Sequence, residues 1–143
     1  MLLDLIDEIE KIKNQDGKSI MSSTNDENIK EIKEWISSNS IINPEINEYE
    51  NFLKKVNGLE FNGLVIYNTN QYDKNNGFIG ANEIWQENDW EGNYLFFGDS
   101  NISWYCLDID KHTFLELDKP SGDIVEEYSS FEEMITEALK SVL

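Results

Sequence analysis

An α+β domain built on a mainly antiparallel sheet is implied by two patterns in this 143-residue chain. From Tyr94 to Tyr128 the stretch YLFFGDSNISWYCLDIDKHTFLELDKPSGDIVEEY falls into four aromatic and β-branched runs, cut by clusters of Gly, Pro, Asn and Asp. That is the signature of a four-strand meander. On either side of it apolar residues recur at three- and four-residue spacing, which places helices before and after the meander.

Within the meander, YLFF stops at Gly98-Asp99-Ser100-Asn101, ISWYCLD at Asp108–Lys111 and TFLELD at Lys119-Pro120-Ser121-Gly122. DIVEEY then leads into the last helix. ISWYC is apolar almost throughout, which predicts a central strand covered on both faces. DIVEEY alternates and carries charge, which predicts an edge.

Upstream, Leu2, Leu5, Ile6, Ile9 and Ile12 form one stripe of a helix that ends near Asn14, and residues 1–22 read as a helical extension. Thr24 with Glu27 has capping-box spacing and opens a helix that buries Ile29, Ile32, Trp35 and Ile36. Asn43-Pro44 reads as the start of a third helix, with Ile46, Tyr49, Phe52, Leu53 and Val56 inward and Asn57-Gly58 as its stop. Phe61–Tyr67 reads as a strand in which Gly63 marks a bulge or a close backbone approach. A polar loop, Asn68–Asn76, follows with Tyr72 as its one apolar anchor, and Asn82 is expected to cap a short helix holding Ile84 and Trp85. Ser130 and Glu133 repeat the capping-box spacing before Phe131, Met134, Ile135, Ala138, Leu139 and Val142. The expected sheet thus has Leu64–Tyr67 plus four meander strands, in one domain spanning 1–143.

Composition narrows the function classes. Hydrophobic residues make up 39% of the chain, with four Trp, six Tyr and seven Phe, too many for a disordered chain. The apolar runs are too short to span a membrane, and the acidic amphipathic start lacks the pattern of a signal peptide. A single cysteine, Cys106, excludes an internal disulfide and points to a reducing, cytoplasmic setting. Against 29 acidic residues stand eleven lysines and no arginine, a formal charge of −18. Such a charge repels phosphate and anionic membranes, so neither nucleic acid nor membrane is expected as a partner. It favours rapid capture of something basic. Solubility alone is the plainer alternative.

No residue set points to catalysis. His112 and Cys106 read as an exposed turn histidine and a structural core cysteine. Asp108-Ile109-Asp110 opens like a calcium loop, but Thr113 and Lys119 stand where that loop needs glycine and glutamate. Zinc clusters and phosphate-binding or nucleophile motifs are missing, so no cofactor or metal is expected. Trp85 and Trp90 flank Glu87 and Asp89 and precede Glu91. This pattern is either an indole plugging the core beside solvated charges or a carboxylate rim around aromatic anchors. On the second reading the partner-binding candidates are Glu87, Asp89, Trp90 and Glu91, with Asp99, Asp108 and Asp110 at the meander turns.

Three segments resemble the SUKH superfamily, its bacterial toxin-immunity proteins in particular, with the YrhA-like branch among them. In INPEINEYENFLKKVNGLEF, Tyr49, Phe52, Asn57 and Gly58 match the family's helix exit, although Asn43-Pro44 replaces its usual Leu-Pro. YLFFGDSNISWYCLD is similar to its strand, Gly-Asp turn and strand through Phe97, Gly98, Asp99, Tyr105 and Asp108. EEYSSFEEMITEAL carries its Ser-Phe opening at Ser130 and Phe131. Together they span roughly 24–142; the first helix and the Asn68–Asn76 loop have no counterpart. The resemblance implies a non-enzymatic α+β binder of a cognate toxin domain such as a nuclease, which the charge predicts to be basic; the chain itself is expected to be a monomer or weak homodimer when free. A regulator or scaffold outside toxin systems is the alternative, and an enzyme or metal-binding protein the third.

Overall fold

The computed structural model describes residues 1–20, 22–39, 43–87 and 93–143. Its elements run α1 (Leu2–Gln15), α2 (Asp26–Asn39), α3 (Asn47–Lys55), β1 (Leu59–Phe61), β2 (Leu64–Ile66), α4 (Phe78–Gln86), β3 (Tyr94–Asp99), β4 (Ser103–Asp108), β5 (Thr113–Asp118), β6 (Ile124–Tyr128) and α5 (Phe131–Val142). The fold is α+β, with one antiparallel sheet in the order β1-β2-β3-β4-β5-β6. The meander lies where the turn clusters put it. Tyr105, Cys106 and Leu107 of β4 are all buried, as a central strand requires, and four of the five β6 residues are exposed.

The sheet has six strands, one more than the turn clusters indicate. Phe61–Tyr67 is not one bulged strand. Asn62 and Gly63 both take positive φ (48° and 87°) and turn the chain back on itself, pairing Leu59 with Ile66 and Phe61 with Leu64. Two left-handed residues in a two-residue loop match the right-handed twist of the flanking strands, and Asn-Gly is the dipeptide that tolerates this best.

Several helix ends also depart from the capping signals. Helix α3 begins at Asn47, after Asn43-Pro44. Pro44 is buried in the chain leading up to it. Asn25 caps α2 by accepting from the Asn28 amide (2.9 Å), while the Thr24 hydroxyl bonds the Thr69 hydroxyl (3.0 Å). Helix α3 ends at Lys55, and Gly58 takes the left-handed conformation (φ 83°) just beyond. The cap before α5 forms at the expected residue: Ser130 Oγ accepts from the Glu133 amide (3.1 Å), while the Glu133 carboxylate reaches one residue beyond the cap and accepts from the Ser129 amide (3.2 Å). Ser129 Oγ donates to the same carboxylate (2.6 Å), and these bonds hold its pKa below the usual range.

Asn82 does not cap α4. Gly77 takes the N-cap position, and Asn82 lies buried inside the helix at 2% exposure. Its side-chain amide donates to the Phe96 carbonyl (2.9 Å) and accepts from the Phe96 N–H (2.7 Å). Strand β2 pairs with β3 only at Asp99 and Gly98, followed by a bond from the Tyr67 amide to the Phe97 carbonyl. Helix α4 occupies the place where β2 would have continued, and one side-chain amide substitutes for a neighbouring strand. The loop leading into α4 is likewise held by polar groups, since Tyr72 is 83% exposed and anchors nothing. Asp73 accepts from the Asn76 and Asn75 amides (3.0 and 3.3 Å) and the Asn68 side chain (3.2 Å).

The core lies between the sheet and α3 and α5. Tyr49, Phe97 and Phe131 meet at centroid distances of 4.9–5.4 Å, and Phe78 adds a fourth ring. Each such ring, fully buried, contributes on the order of 2–3 kcal/mol. Phe52, Leu53, Phe131 and Leu139 are all buried, as their helical spacing demands. Ile6 and Ile9 dock α1 against α5, so the first helix packs on the body of the domain. The Tyr49 hydroxyl, pushed far above its usual pKa by burial, stays protonated and donates to the Tyr67 carbonyl (2.6 Å).

Candidate partner-binding surface

The candidate residues fall in different places. Antiparallel connections alternate between the two ends of a sheet, and the meander follows this rule. Asp99 pairs with Trp104, and Tyr94 with Asp108, at opposite ends of the β3–β4 pair. The four residue steps from Trp104 to Asp108 separate those ends by roughly 13 Å. Asp99, the last residue of β3, therefore shares no patch with Asp108, the last residue of β4, and Asp110 in the turn after it. Asp89, Trp90 and Glu91 lie outside the described residues. Glu87 is exposed at the C-cap of α4.

Asp99 is also occupied internally. Its carboxylate accepts from the Tyr67 hydroxyl (2.7 Å) and lies 3.4 Å from Lys119 Nζ, which donates to the Ser100 carbonyl (2.6 Å). Burial, and then the Asp99 charge, raise the Tyr67 pKa, so the hydroxyl keeps its proton and remains a donor. Lys119 sits 5.6 Å over the Trp104 ring, and Trp104 meets Trp85 edge-on at 4.8 Å. Trp85 in turn stacks on Phe96 at 4.7 Å. This corner locks the β3–β4 and β5–β6 turns to the end of α4, and Asp99 works there as a tie.

The opposite end is open and acidic. Asp110 is exposed, and Asp108 is half-buried, accepting from the Lys111 amide (3.3 Å) to shape its turn. The Ile109 amide donates to the Asn93 carbonyl (3.0 Å), tying this turn to the start of β3. Beside it, between the first turns of α3 and α5, opens a cleft of about 390 Å³. Its rim carries Glu45, Glu48, His112, Ser129 and Ser130 over an apolar floor that includes Phe97 and Phe114. No lysine is among the residues that line it. Spacing did not reveal this cleft, because its walls come from three distant segments.

The single cysteine takes no part. Cys106 is fully buried in β4, and burial pushes its thiol pKa far up, with the Asp108 charge adding to the shift. Such a thiol is a packed apolar group. Among the described residues no three or more His, Cys, Asp or Glu side chains are grouped to hold a metal ion, and no helix is long and apolar enough to cross a membrane.

No protein-family model matches the chain, and no curated protein matches it either.

Proposed function

We propose that this protein is an immunity protein of the SUKH type, which binds and neutralises a cognate basic toxin domain by covering it, and does so in the cytoplasm. The observation that carries this is the charge of −18 together with where carboxylates stay free. Asp108 and Asp110 lie in the turn whose His112 enters the cleft rimmed by Glu45 and Glu48, and among the described residues none of the four carboxylates has a lysine partner, while Asp99 at the other end has its own. A concentrated negative field over an accessible concave surface captures a cationic protein quickly and holds it in register. The resemblance at Tyr49, Phe52, Asn57, Gly58, Ser130 and Phe131 supports the same reading.

The test begins with the reading frame beside this gene. A large secreted protein with a variable C-terminal domain is expected there, and co-expression of this chain is expected to rescue cells from that domain. The purified pair should form a stable complex whose association slows as salt shortens screening to about 8 Å at physiological strength. A neighbouring toxic domain that this chain neither binds nor inhibits overturns the proposal.

A further inference from the structure

Strand β6 is an edge of the sheet, and among the described residues no strand pairs with its outer side. Ile124 and Val125 are 53% and 54% exposed, and Glu126 and Glu127 are exposed beside them. An antiparallel edge strand directs alternate backbone N–H and C=O groups outward, and at β6 these have no strand to meet. The other edge, β1, is three residues long and has Leu59 and Phe61 buried. Acidic side chains on an edge protect it against pairing with a second copy. That protection does not explain a second feature. Glu126 pairs directly with Glu116 across the β5–β6 ladder. Glu116 already accepts from the Ser103 hydroxyl (2.6 Å) and the Tyr128 hydroxyl (3.3 Å), and among the described residues neither glutamate has a salt bridge. Like charges placed opposite one another destabilise a strand pair. The arrangement becomes favourable when a cation arrives on the outer side of Glu126.

We propose that β6 is a docking edge that takes an extended, basic strand of a partner protein, with Lys or Arg opposite Glu126 and Glu127 and an apolar β-branched residue opposite Ile124. Backbone bonds to the outward side of β6 supply affinity, and the glutamates select cationic side chains. A second copy is the wrong occupant. Two-fold pairing of β6 with itself would set Glu126 and Glu127 against the same residues of another −18 chain. The inference names the contact of the binder proposed above, but its test needs no toxin.

The probe is the peptide acetyl-Val-Thr-Lys-Lys-Thr-Val-amide, whose palindromic order presents the same side chains in either direction. Two controls accompany it: the same peptide N-methylated at its four central residues, and one with glutamate in place of lysine. The readout is amide hydrogen exchange and chemical-shift change across the chain. Saturable protection confined to Ile124–Tyr128, lost on N-methylation and with the acidic peptide, is expected. The exposed double variant Glu126→Lys, Glu127→Lys should weaken binding about tenfold or more without lowering the melting temperature. Equal binding of the N-methylated peptide reduces the effect to net charge and overturns the proposal. Shifts that map away from β6 overturn it too, as does a free protein that already sediments as a dimer with β6 protected. Peptide capture at β6 in a chain that neutralises no toxin keeps this inference and removes the immunity reading.

Discussion

Two of the places where the outer side of a strand meets no further strand are treated in opposite ways. At Phe96 the missing neighbour is replaced from within: the Asn82 amide satisfies both the N–H and the C=O at 2.7 and 2.9 Å, sealed at 2% exposure. At β6 the outward backbone is left bare, with glutamates standing guard. The difference follows from water. A polar backbone group cut off from solvent costs roughly 1–3 kcal/mol if unpaired, so a buried gap must be closed by the protein itself. An exposed one is satisfied by solvent at no such cost and stays available to a partner.

The largest effect is expected from opening the closed gap. Asn82→Ala removes the side-chain amide that bonds the Phe96 N–H and C=O and empties a packed position. Chemical denaturation should show a loss of about 3 kcal/mol, and the Phe96 amide should exchange far faster than its β4 neighbours. A loss below half a kcal/mol would mean that water or a shifted β2 takes over the role. Next in size is the turn that forms the short edge strand. Gly63→Val puts a β-branched residue at φ 87°, where its Cβ would also lie 2.6 Å from the Asn101 side chain. A loss of about 1–2 kcal/mol is expected, with exchange rising first in β1. Uniform destabilisation without a local response at β1 would contradict the two-residue hairpin.

Smaller still is the pH response of the loop that delivers α4 to the closed gap. The Asp73 carboxylate is held below its ordinary 3.8, chiefly by the Asn76 amide and against a burial cost. A depressed pKa stabilises the fold above the unfolded value, and that contribution disappears as pH falls through the lower folded value. Asp73→Asn should therefore be less stable than wild type at neutral pH, with the gap closing as pH drops below about 3.8. A pH-independent gap would mean that packing, not charge, sets the effect. The smallest change belongs to the open edge. Glu126→Gln removes one of two facing carboxylates and should raise stability by only a few tenths of a kcal/mol.

These regions also differ in how plainly they could be read from residues alone. The β6 edge was legible, because DIVEEY carries charge where a covered strand cannot. The cap at Ser130 and the apolar faces of α3 and α5 were legible for a similar reason: each signal is local and repeats at the helical period. The closed gap was not. Asn82 has the chemistry of a cap, and only the departure of β2 after Tyr67 turns it into a strand substitute, a fact of tertiary structure. Asn62-Gly63 did carry a local signal, since Asn-Gly between alternating apolar residues marks a hairpin. Among the candidate binding residues, the split between Asp99 and Asp108 follows from counting turns. The tie from Asp99 to Tyr67 and Lys119, by contrast, needs three segments to meet.

The proposed acidic binder with one open edge is tested most directly by hydrogen exchange on the whole chain, free and mixed with the toxic domain that the proposal expects beside its gene. The expected result is new protection at Ile124–Tyr128 and around the cleft at Ser129 and Ser130, with Phe96 unchanged because its partner is already in place. A tight complex that leaves β6 and the cleft exchanging as in the free protein would contradict it.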